Sequence, residues 1–340
     1  MRVPKFSLSR TTLCAGALAG ALTVALTSCA TEKSDDAAPT EAIATVTNCD
    51  QTVTITEPIE KAVAVNQPAV ELLLSLGLAD RMVGYAMSDD DVLPDLEQAR
   101  SQVKAFDTEF PSFETVLDRE PDFVYTTFDY TFTSEGIADR DKFTELGIAT
   151  YQSPSECGGQ EAEQSKALTL DDLYSEIGEV AALFDVADSG TELVSSLKQR
   201  AATATTDLGV EDVSLGWWYA STKTPYFAGC CGAPGLMTTA VGATNAFADS
   251  KQYWPEVSWE SVLDRDPTVL VLADLDRGGD GDSAAAKIAF LESDPVASQL
   301  TAVKNKRYII LNGTTMDPSI RNVAGTEELA AGLRKLGLAQ

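Results

Sequence analysis

From about residue 46 onward, short β-branched runs alternate with amphipathic stretches, the pattern of βα units and largely parallel sheets. Residues 61–65 (KAVAV) predict a strand. Pro68 to Leu76 predicts a helix that buries Leu72, Leu73, Leu74 and Leu76 and stops at Gly77. A strand at 82–85, a short helix at 113–117 and a buried strand at 122–126 follow. The segment from Ser134 to Leu146 then carries an N-cap serine and a stop at Gly147, which predicts a helix leading into a strand at 148–151. Leu170, Leu173, Ile177, Val180, Ala181 and Phe184 form a helical stripe, and Asp188 to about Thr206 is a second helix with Leu193, Val194 and Leu197 on one side. After it the alternation resumes: strand 213–219, helices 234–241 and 259–263, strand 268–272, helix 284–291, strand 308–311 and a last helix from about Thr326. The pattern predicts an α/β protein of two lobes, 49–186 and 211–340, joined by a helix within 187–210.

One phrase occurs twice. ETVLDREPDFVY (114–125) in the first half parallels ESVLDRDPTVLV (260–271) in the second, each a short helix, a proline turn and a buried strand. Each helix begins with a glutamate, Glu114 and Glu260, which suggests duplicated lobes facing one another. A carboxylate there also suits a helix N-terminus on its own account.

Composition narrows the chemistry. With 25 Lys+Arg against 52 Asp+Glu the formal net charge is −27, so a polyanion such as nucleic acid would be repelled. The chain has no histidine, which removes the usual general base and the commonest metal ligand. No glycine-rich phosphate loop appears, and no catalytic constellation or protein metal site is expected. Asp89, Asp90 and Asp91 form the densest acidic run and read as a solvated loop.

The N-terminus reads as an address. Arg2, Lys5 and Arg10 precede an uncharged apolar run from Leu13 to Leu26, as in a secretory signal peptide spanning 1–28. It ends in LTSCA (26–30), which resembles a bacterial lipobox. That resemblance implies acylation of Cys29, a membrane anchor, and a flexible tether at 29–48. With Cys14 removed and Cys29 acylated, Cys49, Cys157, Cys230 and Cys231 remain, with three possible pairings. Cys49 with Cys157 is favoured, because Cys230 and Cys231 are adjacent and could satisfy each other only in a vicinal disulfide. Two small packing residues beside a glycine-rich turn is an equally good description of that pair.

Segments PIEKAVAV (58–65), ELLLSLGLADRMVG (71–84), EPDFV (120–124) and NKRYI (305–309), in this order and spacing, resemble the substrate-binding lipoproteins of ABC importers for iron-siderophores and cobalamin. The resemblance implies two doubly wound, Rossmann-like lobes bridged by one rigid helix, here 188–206, with ligand in the cleft between them. It also implies that Glu114 and Glu260 each meet an arginine of a permease dimer driven by an ATPase. The protein would act as a monomer, without enzymatic activity and without a cofactor other than a metal carried inside its ligand.

Ligands of such sheets sit beyond the carboxyl ends of the strands. That rule selects Asn66, Gln67, Met87, Thr127, Phe128 and Tyr130 in the first lobe, and Phe227, Trp254 and Arg277 in the second. Phe128, Tyr130 and Trp254 offer flat faces for a conjugated or macrocyclic ligand. Arg277 and Arg321 are candidates for bidentate contact with an anionic group. Histidine-dependent zinc and manganese receptors are disfavoured and a haem receptor with a histidine axial ligand is excluded, though a tyrosine-only one is not; the cargo that the resemblance implies is a ferric siderophore or similar bulky chelate. TPYFAG (224–229), GAPGLM (232–237) and SIRNV (319–323) also resemble proteins proposed to bind a deazaflavin coenzyme precursor, so that ligand or a corrinoid is an alternative. A sensor that hands ligand information to a signalling partner would share the fold.

Overall fold

The computed structural model describes residues 41–340 apart from 89, 107–109, 160, 161 and 165. The expected signal segment, Cys29 and the tether up to residue 40 lie outside the described residues. The tether was expected to reach residue 48, but strand β1 (Ala44–Asn48) already pairs antiparallel with β2 (Gln51–Ile55). Its Thr-rich alternation puts Ile43 and Val46 against the first core together with Val53 and Ile55. The two-residue turn, Cys49 and Asp50, has positive φ at both positions (47° and 63°), the hairpin geometry that matches strand twist.

Two fastenings hold this hairpin. Buried Asn48 donates to the Gln152 carbonyl at 2.7 Å and accepts the Gln152 N–H at 2.9 Å, while the Arg140 guanidinium bridges the Asn48 carbonyl and Thr150. Beside it Cys49 is disulfide-bonded to Cys157, 108 residues away with Cα atoms 5.2 Å apart, as expected. Cys230 and Cys231 form a vicinal disulfide.

The first lobe is built on β3 (Ala62–Val65), β4 (Met82–Ala86), β5 (Phe123–Thr126) and β6 (Ala149–Gln152), all parallel in the spatial order β4-β3-β5-β6. The second is built on β7 (Ser214–Trp218), the two-residue β8 (Thr244–Asn245), β9 (Val269–Asp274) and β10 (Tyr308–Asn312), parallel in the order β10-β9-β7-β8. Counted along the chain, both sheets have the order 2-1-3-4, so the duplication suggested by the repeated phrase is a duplication of topology. AVAV of β3 and VLVLA of β9 are buried on both faces, which is why they read as continuous apolar runs.

The helix Ala187–Thr205 links the halves. It packs between the helices Leu170–Leu183 and Arg321–Lys335, placing Leu197 and Ala201 in the first core; Leu208 and Val210, just beyond it, enter the second. Two helix starts differ from expectation. The helix expected from Ser134 begins at Arg140, because Thr133 and Gly136 close a turn in which Ile137 N–H bonds to the Thr131 carbonyl. The last helix begins at Arg321, earlier than expected, and brings Ile320 and Val323 into the first lobe's core.

Candidate functional site: the cleft between the lobes

In a 2-1-3-4 sheet the crevice opens where the winding reverses, between the first and third strands. In the first lobe that point lies between β3 and β5, and in the second between β7 and β9. Asn66 stands at the first. Its φ of 79° turns the chain sharply out of β3, and its Oδ1 accepts from the Thr126 hydroxyl at 2.7 Å while its Nδ2 reaches the Met87 sulfur at 3.5 Å. Asn66, Met87 and Thr126 are thereby drawn together, with Thr127 and Phe128 following directly; Thr127 Oγ1 is buried and makes no hydrogen bond. Tyr130 lies further out, half-exposed and edge-on to Phe110 with its hydroxyl bonded to the Glu135 carbonyl.

At the second reversal, Tyr219 follows β7 and carries two neighbours. Trp254 lies against it with ring centroids 4.7 Å apart, and the Arg277 guanidinium lies 5.2 Å from its centroid. Arg277 also pairs with Asp282 at 2.8 Å. A cavity of about 380 Å3 opens here, lined by Tyr219, Asp274, Asp276, Arg277, Asn312 and Asp317 of the second lobe and by Asp90 of the first. It lies beyond the carboxyl ends of β7, β9 and β10.

Three expected ligand contacts have other roles. Phe227 is fully buried, stacked on Trp218 and packed against Phe247 and Trp259, so it presents no face to the cleft. Arg321 is also buried. Its Nε and Nη2 bond to the two carboxylate oxygens of Glu71 at 2.8 and 2.6 Å, its Nη1 to the Thr314 hydroxyl at 2.9 Å, and Nη2 again to the Asp91 carbonyl at 2.6 Å. Glu71 and Asp91 belong to the first lobe and Arg321 and Thr314 to the second, so this guanidinium fastens one lobe to the other. Gln67 serves the same latch by donating to Glu71 at 3.0 Å. The acidic run is correspondingly not a solvated loop: Asp90 accepts from Asn312 of the second lobe and lies 3.8 Å from Arg321. Asp89 lies outside the described residues.

A second bridge crosses the cleft where the Tyr253 hydroxyl donates to the Ser155 carbonyl at 2.5 Å. Nearby Glu176 is buried, accepting from the Tyr125 and Ser153 hydroxyls at 2.7 and 2.8 Å. Burial pushes its carboxyl up to about 7 against the opposing pull of those donors. Neither Glu71 nor Tyr219 was singled out in the sequence, although Tyr219 obeys the same strand-end rule as the residues that were.

The repeated glutamates occupy equivalent places. Glu114 lies in the first turn of Phe113–Leu117, ahead of β5, and Glu260 in the first turn of Trp259–Arg265, ahead of β9. Both are exposed. Each helix is capped by a serine, Ser112 accepting from Thr115 N–H and Ser258 from Ser261 N–H. Each serine meets one cap donor, and Glu114 meets a second on its own helix. Glu114 has its carboxyl held below the usual range by its own backbone N–H and the Ser112 hydroxyl.

Two equally wound lobes, latched across a cavity-bearing cleft, define a solute-binding protein. The sequence pattern of the periplasmic binding protein family matches residues 63–314, and the chain belongs to that family. Its fold resembles that of a periplasmic binding protein from Veillonella parvula (21% identity, TM-score 0.76, covering 87% of this chain and 99% of that one). It also resembles an ABC-type Fe3+-hydroxamate transport system structure from Saccharomonospora viridis (27%, TM-score 0.70, 85% and 98%). The vitamin B12-binding protein of Vibrio cholerae is 24% identical over 218 residues, 63% of this chain and 70% of that protein. The family is extracytoplasmic, binds small chelates for delivery to an ABC permease and is not enzymatic. No helix among the described residues is long and apolar enough to cross a membrane.

Proposed function

We propose that this protein captures a ferric siderophore in the interlobe cleft and delivers it to a permease dimer. The observation that carries this assignment is the cavity beyond β7, β9 and β10, with Tyr219 on its wall, backed by Trp254, and Asp90 reaching it from the opposite lobe. Support for iron comes from the similarity to the Fe3+-hydroxamate transport protein over nearly all of its length. The absence of histidine agrees, because iron enclosed in a chelate needs no imidazole from the receptor. Trp254 fluorescence should quench on titration with a ferric trihydroxamate, and no response to any ferric chelate would overturn the assignment. A corrinoid is the second candidate, on the strength of the vitamin B12-binding relative, and cyanocobalamin belongs in the same titration.

Glu114 and Glu260 are the proposed contacts to permease arginines. An exposed ion pair contributes only about 0–1 kcal/mol, so the two would fix register and orientation more than affinity. Reversing both charges should abolish uptake and leave the ligand Kd unchanged; a weakened Kd would show that they serve the cleft. We assign Cys29 as the acylated anchor. The disulfides support an oxidising, extracytoplasmic setting. Cys29→Ala should release the protein from the membrane fraction.

A further inference from the structure

The charge of the cleft carries an inference about its cargo, which rests on the assignment of that cleft as the chelate site. Four carboxylates, Asp90, Asp274, Asp276 and Asp317, line the cavity against one guanidinium, Arg277. Arg277 on the cavity wall and Arg321 beside Asp90 both already hold carboxylates of the protein. Arg277 is paired with Asp282, whose side chain is 6% exposed, and Arg321 with Glu71, which is fully buried. Even the latch carries excess negative charge, since Asp90 joins Glu71 around a single guanidinium. Tyr219 lines the cavity with Trp254 packed on it, and its ring already carries the Arg277 guanidinium, as expected of a ring face that attracts cations. A net charge of −27 adds a field of the same sign around the cleft.

We propose that the cleft selects its chelate by charge, accepting cationic and neutral complexes and rejecting polyanionic ones. Three singly charged hydroxamates neutralise ferric iron, and a pendant ammonium makes such a complex a cation. Three doubly charged catecholates leave the complex triply negative. A polyanion would have to draw Arg277 from Asp282 or Arg321 from Glu71, stranding a buried carboxylate each time. A cation meets a wall of net negative charge and displaces neither of these pairs. The preference belongs to the ligand's charge rather than to the metal, so gallium complexes of the same chelators should behave alike.

Three iron-loaded probes test this by Trp fluorescence and calorimetry: a linear trihydroxamate with a free ammonium, a cyclic neutral trihydroxamate and a tris-catecholate. The cationic complex should bind at least about tenfold more tightly than the tris-catecholate, with the gap narrowing between about 0.05 M and about 0.5 M NaCl as the field is screened. Asp276→Asn, on the exposed rim, should weaken the cationic complex about two- to fivefold and leave the neutral one nearly unchanged. Equal or tighter binding of the tris-catecholate overturns charge selection while leaving the siderophore assignment standing. Equal loss of neutral and cationic complexes in Asp276→Asn also overturns it, because Asp276 would then act through shape. Binding of none of the three removes the assignment and the selection with it.

Discussion

The Arg321–Glu71 latch makes a prediction whose sign changes with background. The two side chains are 8% and 0% exposed, and the pair is bidentate, with Thr314 and Asp91 completing the guanidinium's contacts. Glu71 also accepts the Leu93 N–H at 3.0 Å and the Gln67 amide. Arg321→Met leaves Glu71 charged and buried, a loss of about 3–5 kcal/mol. At roughly 2–4 °C per kcal/mol for chains somewhat shorter than this one, the midpoint should fall by on the order of 10 °C. Glu71→Gln alone is also destabilising, because it leaves the guanidinium uncompensated. In the Arg321→Met background, however, Glu71→Gln removes the stranded charge and keeps an acceptor for Leu93, so it should stabilise. Urea unfolding of the wild type, both single variants and the double variant measures this coupling directly. If Glu71→Gln costs the same in both backgrounds, the pair is solvated in solution and does not latch the lobes.

Glu176 supplies a pH dependence. Its carboxyl rises from 4.5 unfolded to about 7 folded, so the folded state holds the extra proton between those values. Stability from this group is complete below about pH 4.5 and is lost as pH rises through about 7, by about 3 kcal/mol in total. Glu176→Gln should flatten that slope in urea unfolding measured from pH 4 to pH 8; an unchanged slope would place the titration elsewhere. Replacing Cys49 and Cys157 together by serine should cost up to about 4–5 kcal/mol in the chain-entropy view, read as a lower thermal midpoint. Tyr219→Ala, which removes the support under both Trp254 and Arg277, should weaken binding of a cationic ferric trihydroxamate, whereas an unchanged Kd would exclude Tyr219 from the site.

Much of the architecture was legible because parallel strands buried on both faces read as unbroken apolar runs, and because the helix–turn–strand phrase recurs in register. The hairpin was not. Its threonines alternate with Val and Ile, but next to an Ala- and Thr-rich leader they read as linker composition. Phe227 shows a different limit. It follows β7 closely in sequence, yet the chain doubles back so that Phe227 bridges to Trp218 antiparallel and is buried among Trp218, Phe247 and Trp259. Arg321 was expected to meet an anionic ligand, and it meets Glu71 instead. Its partner lies 250 residues away, and nothing local in either segment announces the pairing.

The fastening of β1 also determines how the molecule bears mechanical load. A pull arriving from the N-terminal side enters β1 at Ile43 and would begin to peel it from β2 one pair of residues at a time, the geometry in which antiparallel strands resist least. Peeling can advance only from Glu41 to Cys49. There the force passes through a covalent bond to Cys157 and into the loop after β6, so the sheet of the first lobe is never the next element to tear.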